Sequence, residues 1–165
     1  MTLTIRPATV ADLPLIAQLI RDLADYERLA SEVRFDEAVL GEKLFGARPY
    51  AEVLIGELDG EPQGFALFFH NFSTFEGKPG IYLEDLFVRP AARGSGLGKA
   101  LLAQLAATAL ARDCARLEWS VLDWNDPAIG FYKLLGARSM DAWTGMRLDG
   151  ADLARLGALG ASSAA

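Results

Sequence analysis

Arg93-Gly94-Ser95-Gly96-Leu97-Gly98 is the stretch whose residue types point most directly to chemistry. Three glycines at alternate positions let the backbone turn tightly and leave its N–H groups uncovered by side chains. The run falls between a strand-like apolar segment and a helix-like one. At a helix N-terminus such donors, together with the helix dipole, make an anion site that a pyrophosphate fits. Two familiar phosphate-binding patterns do not apply. The spacing G-x-G-x-G is not that of a dinucleotide fold, it comes late in the chain, and no strand with a ribose-binding acid follows suitably. The Gly-Lys-Ser/Thr ending of a P-loop is also missing. On spacing alone, the competing interpretation is a glycine-rich turn without function. With one Cys (Cys114) and one His (His70), Cys/His zinc clusters, Cys–His catalytic pairs and disulfide frameworks are nearly excluded.

The elements that must position this stretch follow from periodicity. Leu3 to Arg6 alternates and ends at Pro7, predicting a strand. Thr9 and Asp12 have the spacing of a helix cap, and Leu13, Ile16, Leu19, Ile20 and Leu23 recur at helical spacing to about Tyr26. Asp36 caps a short second helix that Gly46 ends. Val53-Leu54-Ile55 leads into an Asp59-Gly60 hairpin turn. Phe65 to Phe69 predicts a central strand, 71–80 a loop rich in turn formers, and Ile81 to Val88 the next strand. After the glycines comes a long helix with Leu101, Leu102 and Leu105 on one side. Leu117 to Leu122 predicts a strand, Asn125-Asp126-Pro127 a helix start, and Trp143 to Leu148 a last strand. That order predicts a mixed α/β single domain over 1–156, with 157–165 a frayed tail.

Composition narrows the function class. Sixteen Lys and Arg against 22 Asp and Glu give a net charge of −6 over 165 residues. An acidic chain lacks the basic face that nucleic-acid binding needs, and suits a cationic small substrate better. No apolar run approaches the roughly 20 residues that span a bilayer. Arg6 and Asp12 interrupt any signal-peptide core, so the expected compartment is the cytosol.

The glycine run after Tyr82-Leu83-Glu84-Asp85-Leu86-Phe87-Val88 resembles the acetyl-CoA motif of the GNAT N-acetyltransferases. Arg93, Gly96 and Gly98 meet the family pattern Gln/Arg-x-x-Gly-x-Gly/Ala. Trp124-Asn125-Asp126-Pro127-Ala128, then Phe131-Tyr132-Lys133 and Gly136-Ala137, are similar to a second family segment. The resemblance runs from Ile5-Arg6-Pro7-Ala8 onward. It is nearest to the diamine acetyltransferase group, and Asn71 to Phe75 and Val121 to Asn125 are similar to its thialysine branch.

The resemblance implies an α/β fold whose mixed, mostly antiparallel sheet splays open between its fourth and fifth strands, flanked by helices. Acetyl-CoA would lie in the gap as co-substrate, with no metal. Leu86, Phe87 and Val88 would hold its pantetheine arm by backbone bonds. Arg93, Gly94, Ser95, Gly96, Leu97, Gly98 and Lys99 would receive the pyrophosphate, and Asn125, Asp126, Pro127, Ala128, Tyr132 and Lys133 would line the far side. Tyr132 matches the general acid that supports the departing thiolate. Unperturbed, that proton transfer runs uphill by roughly 2 kcal/mol, so a hydrogen bond or a shifted pKa must suffice. From spacing alone, Tyr132 would be a core aromatic beside Phe131.

Glu84 matches the substrate carboxylate. Its ordinary pKa and that of an amine differ by about six units, or roughly 8 kcal/mol, so it binds the ammonium and passes the proton on through water unless burial raises its pKa. The apolar neighbours Leu83, Leu86 and Phe87 argue against full exposure for Glu84. Tyr26, Glu27 and Asp85 match further substrate positions. In a regular strand Asp85 points away from Glu84, and a bulge would relax that constraint. An acidic residue and a Trp of the polyamine enzymes appear here as Ser73 and Phe75, which favours a shorter, lysine-like amine over a long polycation. The expected activity is direct acetyl transfer to a primary amine in a ternary complex, by a homodimer. The alternatives are another amine, such as a protein N-terminus or an aminoglycoside, and a CoA-binding module without catalysis.

Overall fold

The computed structural model describes residues 1–163. The chain falls into two units, residues 1–122 and 123–163. The first unit is a five-stranded sheet in the order β1-β2-β3-β4-β5, with β1 Leu3–Pro7, β2 Glu52–Leu58, β3 Glu61–Ser73, β4 Lys78–Val88 and β5 Leu117–Trp119. Helices α1 (Leu13–Tyr26) and α2 (Glu37–Phe45) connect β1 to β2, and α3 (Leu97–Ala111) connects β4 to β5. The first four strands pair antiparallel and β4–β5 is parallel. A crossover helix is what a parallel neighbour requires.

Each element begins where local chemistry allows it. Thr9 and Asp12 form a capping box ahead of α1: the Thr9 amide donates to Asp12 Oδ2 at 2.8 Å. Arg6 at the end of β1 donates to both Asp12 oxygens, at 2.9 and 3.0 Å, and to Glu57 of β2 at 2.7 Å. One guanidinium thus ties two strands to the start of the helix. Hydrogen bonds from Arg6 hold the Asp12 carboxyl down at about 2. Ile16, Leu19 and Leu23 then pack on Val53, Ile55, Phe65, Leu67 and Phe87 to form the core on one sheet face. On the opposite face Phe68 lies under Arg112 just past α3, the guanidinium 6.0 Å from its ring, and Leu97, Leu101 and Leu105 of α3 are buried. At Asp59-Gly60 both residues take positive φ, as a two-residue hairpin turn requires.

Two expectations for this unit are corrected. The turn expected over 71–80 is confined to 74–77, because the β3–β4 ladder continues to Ser73↔Lys78. Gly80 lies inside the strand: a Cβ there would meet Asn71 Oδ1 at 2.5 Å and the Arg116 carbonyl at 3.2 Å. Its glycine marks a close approach, not a turn. β5 is shorter than the expected 117–122. Its ladder stops at Leu83↔Trp119, next to an irregularity in β4. Glu84 to Val88 therefore continue without a fifth-strand partner. This is the unclosed sheet that the resemblance implies.

In the second unit α4 (Asp126–Leu134) is capped by Asn125, whose Oδ1 accepts from the Ala128 amide at 3.4 Å. Pro127 occupies its first turn and Gly136, at φ 95°, follows its end. The strand expected at Trp143 to Leu148 is absent, since an alternating run without ladder partners has nowhere to place its backbone bonds. The frayed tail expected from 157 is instead helical through 163 as part of α5 (Gly150–Ser163), whose Ala- and Leu-rich sequence favours helix. Residues 164 and 165 of that expected tail lie outside the described residues.

Asp12 joins cap, helix and sheet, so Asp12→Ala is expected to cost about 1–2 kcal/mol at pH 7 in urea unfolding. A carboxyl held below its unfolded value stabilises above about pH 4 and loses that contribution as pH falls toward 2. The difference between wild type and variant is therefore expected to shrink by about half at pH 3.

Candidate active site

The glycine run is built as an open cradle. Gly94 and Gly96 have φ of 81° and 89°, and a Cβ on either would meet no atom within 4 Å. Gly96 is the N-cap of α3 in the left-handed conformation, where a side chain is strained. Ser95 shapes the turn from inside: its Oγ donates to the Ala92 carbonyl at 2.6 Å and accepts from the Leu97 amide at 3.3 Å. Leu97 is buried beneath. The amides of Gly98 and Lys99 sit in the first turn of a 15-residue helix, before any intrahelical acceptor is available. Space, donors and dipole together make a place that could receive an anion.

β4 supplies the second part. Leu67 pairs with Asp85 and Phe68 with Leu83, so Glu84 has no opposite residue and forms a β-bulge. Cross-strand partners share a face. Leu83 therefore lies with Phe68 on the α3 side, while Asp85 lies with Leu67 and Phe87 on the α1 side. Past the bulge, the backbone edge of β4 away from β3 is open toward Val88, a strand-like track for an extended chain. Leu86 and Val88 are half-buried and Phe87 is buried.

The end of α1 closes this corner. The Tyr26 ring lies 6.5 Å from that of Phe87, and Glu27 caps the helix. Arg93 does not direct its guanidinium to the cradle. It stacks 4.5 Å over Tyr26 and 5.8 Å over Phe87, and its Nε donates to the Val88 carbonyl at 3.1 Å. Only its backbone belongs to the glycine loop.

The carboxylates are ordered differently from the sequence expectation. Glu84, expected to be shielded by its apolar neighbours, is exposed. Asp85 is the sheltered one. Burial, then the nearby charges of Glu84 and Glu27, push its carboxyl up to about 7. Burial also raises Glu27. The bulge is the reason, since it turns Asp85 inward and leaves Glu84 outside. Two adjacent acids within an apolar strand were the sequence signal for this break in alternation. The aromatic stack on Arg93 had no such signal, because its partner Tyr26 is 67 residues away in sequence.

Asn125, Asp126, Pro127, Ala128, Tyr132 and Lys133 belong to the second unit. Asn125 is buried as the α4 cap, and the half-buried Tyr132 ring lies 5.6 Å from that of Phe131. Among the described residues no group of three or more His, Cys, Asp and Glu is placed to hold a metal ion, and no helix is long and apolar enough to cross a membrane.

The chain is similar to known proteins. Residues 16–137 match the family described as acetyltransferase (GNAT) family. The chain is 38% identical to the thialysine N-epsilon-acetyltransferase of Bos taurus, over 88% of this chain and 92% of that protein. It is 32% identical to the L-ornithine N5-acetyltransferase NATA1 of Arabidopsis thaliana, over 88% and 84%. Among solved structures, an integron cassette protein from the mobile metagenome of V. cholerae superposes with a TM-score of 0.79 at 26% identity, covering 95% of this chain and 98% of that one. The extent of these matches and the splayed sheet with its glycine cradle lead to one conclusion: this chain is an acetyltransferase enzyme and belongs to the GNAT family.

Proposed function

We propose that the enzyme transfers an acetyl group from acetyl-CoA to the primary amine of a small cationic substrate, a lysine-like amine or a diamine, directly within a ternary complex. The observation that carries this reading is the sheltered, raised carboxyl of Asp85 in an acidic corner on the same strand that leads to the glycine cradle. Glu27, Glu84 and Asp85 make a negative corner that attracts an ammonium group, and Glu84 docks it. A thialysine and an ornithine acetyltransferase among the relatives are in keeping with an amine of that size.

Acetyl-CoA fits the residues present. The backbone of Gly94 to Lys99 would hold its pyrophosphate, with the Lys99 side chain exposed beside it. The open edge of Leu86 to Val88 would hold the pantetheine arm. When bound, the co-substrate supplies the activated acetyl group. In the second unit, Asn125 to Ala128, Tyr132 and Lys133 match the family's other cofactor-contacting segment, and we assign them to acetyl-CoA on that resemblance. Tyr132 would present its hydroxyl to the developing negative charge on the leaving sulfur. Glu84, exposed at the bulge, would hold the substrate ammonium. No metal takes part in this scheme.

We read residues 1–156 as one catalytic domain of a cytosolic homodimer. Trp143 and Met146, 77% and 91% exposed, are the surface that pairing would bury.

Three measurements test this reading. Tyr132→Phe is expected to lower kcat by about 100-fold while acetyl-CoA affinity, read by calorimetry, stays within a few-fold. Gly96→Val is expected to abolish acetyl-CoA binding, because it fills the cradle and strains the cap; unaltered binding would misplace the pyrophosphate. Met146→Asp is expected to shift the sedimenting species from dimer toward monomer. Thermal stabilisation by acetyl-CoA without thiol release for any amine, thialysine, ornithine and diaminopropane included, would favour the non-catalytic module.

A further inference from the structure

Before its nitrogen can attack an acetyl group, a substrate ammonium must lose a proton to some acceptor. The geometry points to Asp85 as that acceptor, with Glu84 confined to docking the ammonium. This assignment rests on the proposed amine acetylation and adds a division of labour to it.

Three observations carry it. First, the bulge at Glu84 separates the two neighbours: Asp85 pairs with Leu67 and lies on the face of Phe87 and α1, while Glu84 has no cross-strand partner and projects from the irregularity into solvent. Second, Asp85 makes no hydrogen bond and no salt bridge among the described residues, although it is half-buried. A sheltered carboxylate without a cationic partner is costly to keep in a folded chain and marks a functional position. Third, the charged groups around it are of the wrong sign to neutralise it. Glu84 is adjacent on β4 and Glu27 faces it from the end of α1. Arg93, the cation at this corner, is occupied by the Tyr26 and Phe87 rings and the Val88 carbonyl.

These surroundings suit a base. With its carboxyl raised to about 7, Asp85 stands roughly three pKa units below an ordinary primary ammonium, where an unperturbed carboxylate stands about six below. In the step, one N–H bond of the ammonium breaks and its electron pair remains on nitrogen as the nucleophilic lone pair. The proton ends on a carboxylate oxygen of Asp85, directly or through one water. Glu84 takes no proton in this step and holds the amine in place. Deprotonated Asp85 is regenerated by release of the proton to solvent.

The test compares wild type, Asp85→Asn, Asp85→Glu and Glu84→Gln in acetyl-CoA thiol-release assays with thialysine and ornithine from pH 5.5 to 9.5, with unfolding curves to establish that each variant is folded. Wild-type kcat is expected to rise through an ionisation near pH 7. Asp85→Asn is expected to lose that limb and to lower kcat by about 100-fold or more, with amine KM changed only a few-fold. Asp85→Glu is expected to recover part of kcat with a displaced limb. Glu84→Gln is expected to raise amine KM about tenfold or more and to keep the limb. Persistence of the limb in Asp85→Asn, or its loss in Glu84→Gln, overturns the assignment while leaving amine acetylation intact. Absence of turnover with every amine in the wild type overturns the functional reading itself. A substrate-free check is separate from both: carboxyl carbon NMR, with the Asp85 resonance assigned by its absence in Asp85→Asn, is expected to titrate near pH 7. Titration near 4 overturns the inference whatever the kinetics show.

Discussion

A single extra residue in β4 sets the geometry of the first unit's acidic corner. The ladder with β3 keeps its register up to Leu83 and resumes at Asp85, and the displaced Glu84 absorbs the difference. Two consequences follow from that one irregularity. Side chains that a regular strand would put on one face are divided between two, so Leu83 packs toward α3 while Asp85 turns toward α1. The parallel pairing with β5 also ends at Leu83, beside the bulge. The open backbone beyond it and the sheltered carboxyl share one origin.

The rest of the unit holds that geometry in place. Phe65, Leu67 and Phe87 are fixed from one side by Ile16, Leu19 and Leu23 of α1, and α3 buries Leu97, Leu101 and Leu105 on the other. Arg6 anchors the start of α1 through Asp12 and Glu57, and this fixes where the other end of the helix delivers Tyr26 and Glu27. Arg93 closes the corner by stacking on Tyr26 and Phe87, so the glycine loop and the end of α1 are joined by one side chain. The glycine cradle and the acidic corner thus lie on neighbouring stretches of one chain segment.

The cradle needs few side chains. Gly94 and Gly96 contribute positive φ and open space, Ser95 stiffens the turn through Ala92 and Leu97, and α3 contributes amides and dipole. Backbone recognition of this kind tolerates wide sequence change elsewhere.

Sequence alone determined what depends on neighbours in the chain. The α1 stripe, the Thr9–Asp12 and Asp36 caps, the Asp59-Gly60 turn, the glycine cradle before α3 and the Asn125-Pro127 start of α4 are local rules of period, capping and φ, and they are legible from residue order. Family resemblance added the splayed sheet and the candidate residues. What sequence could not decide depends on partners far away in the chain. Gly80 and Pro79 look like turn formers, but are strand residues because β3 and the segment before β5 lie against them. Trp143 to Leu148 alternates like a strand, yet forms none without a ladder. Glu84 and Asp85 are neighbours of nearly the same chemistry, and order alone cannot say which one is sheltered. Only the register against Leu67 and Phe68, set by tertiary pairing, puts Asp85 inside and Glu84 in water, because a one-residue slip in a strand exchanges its faces.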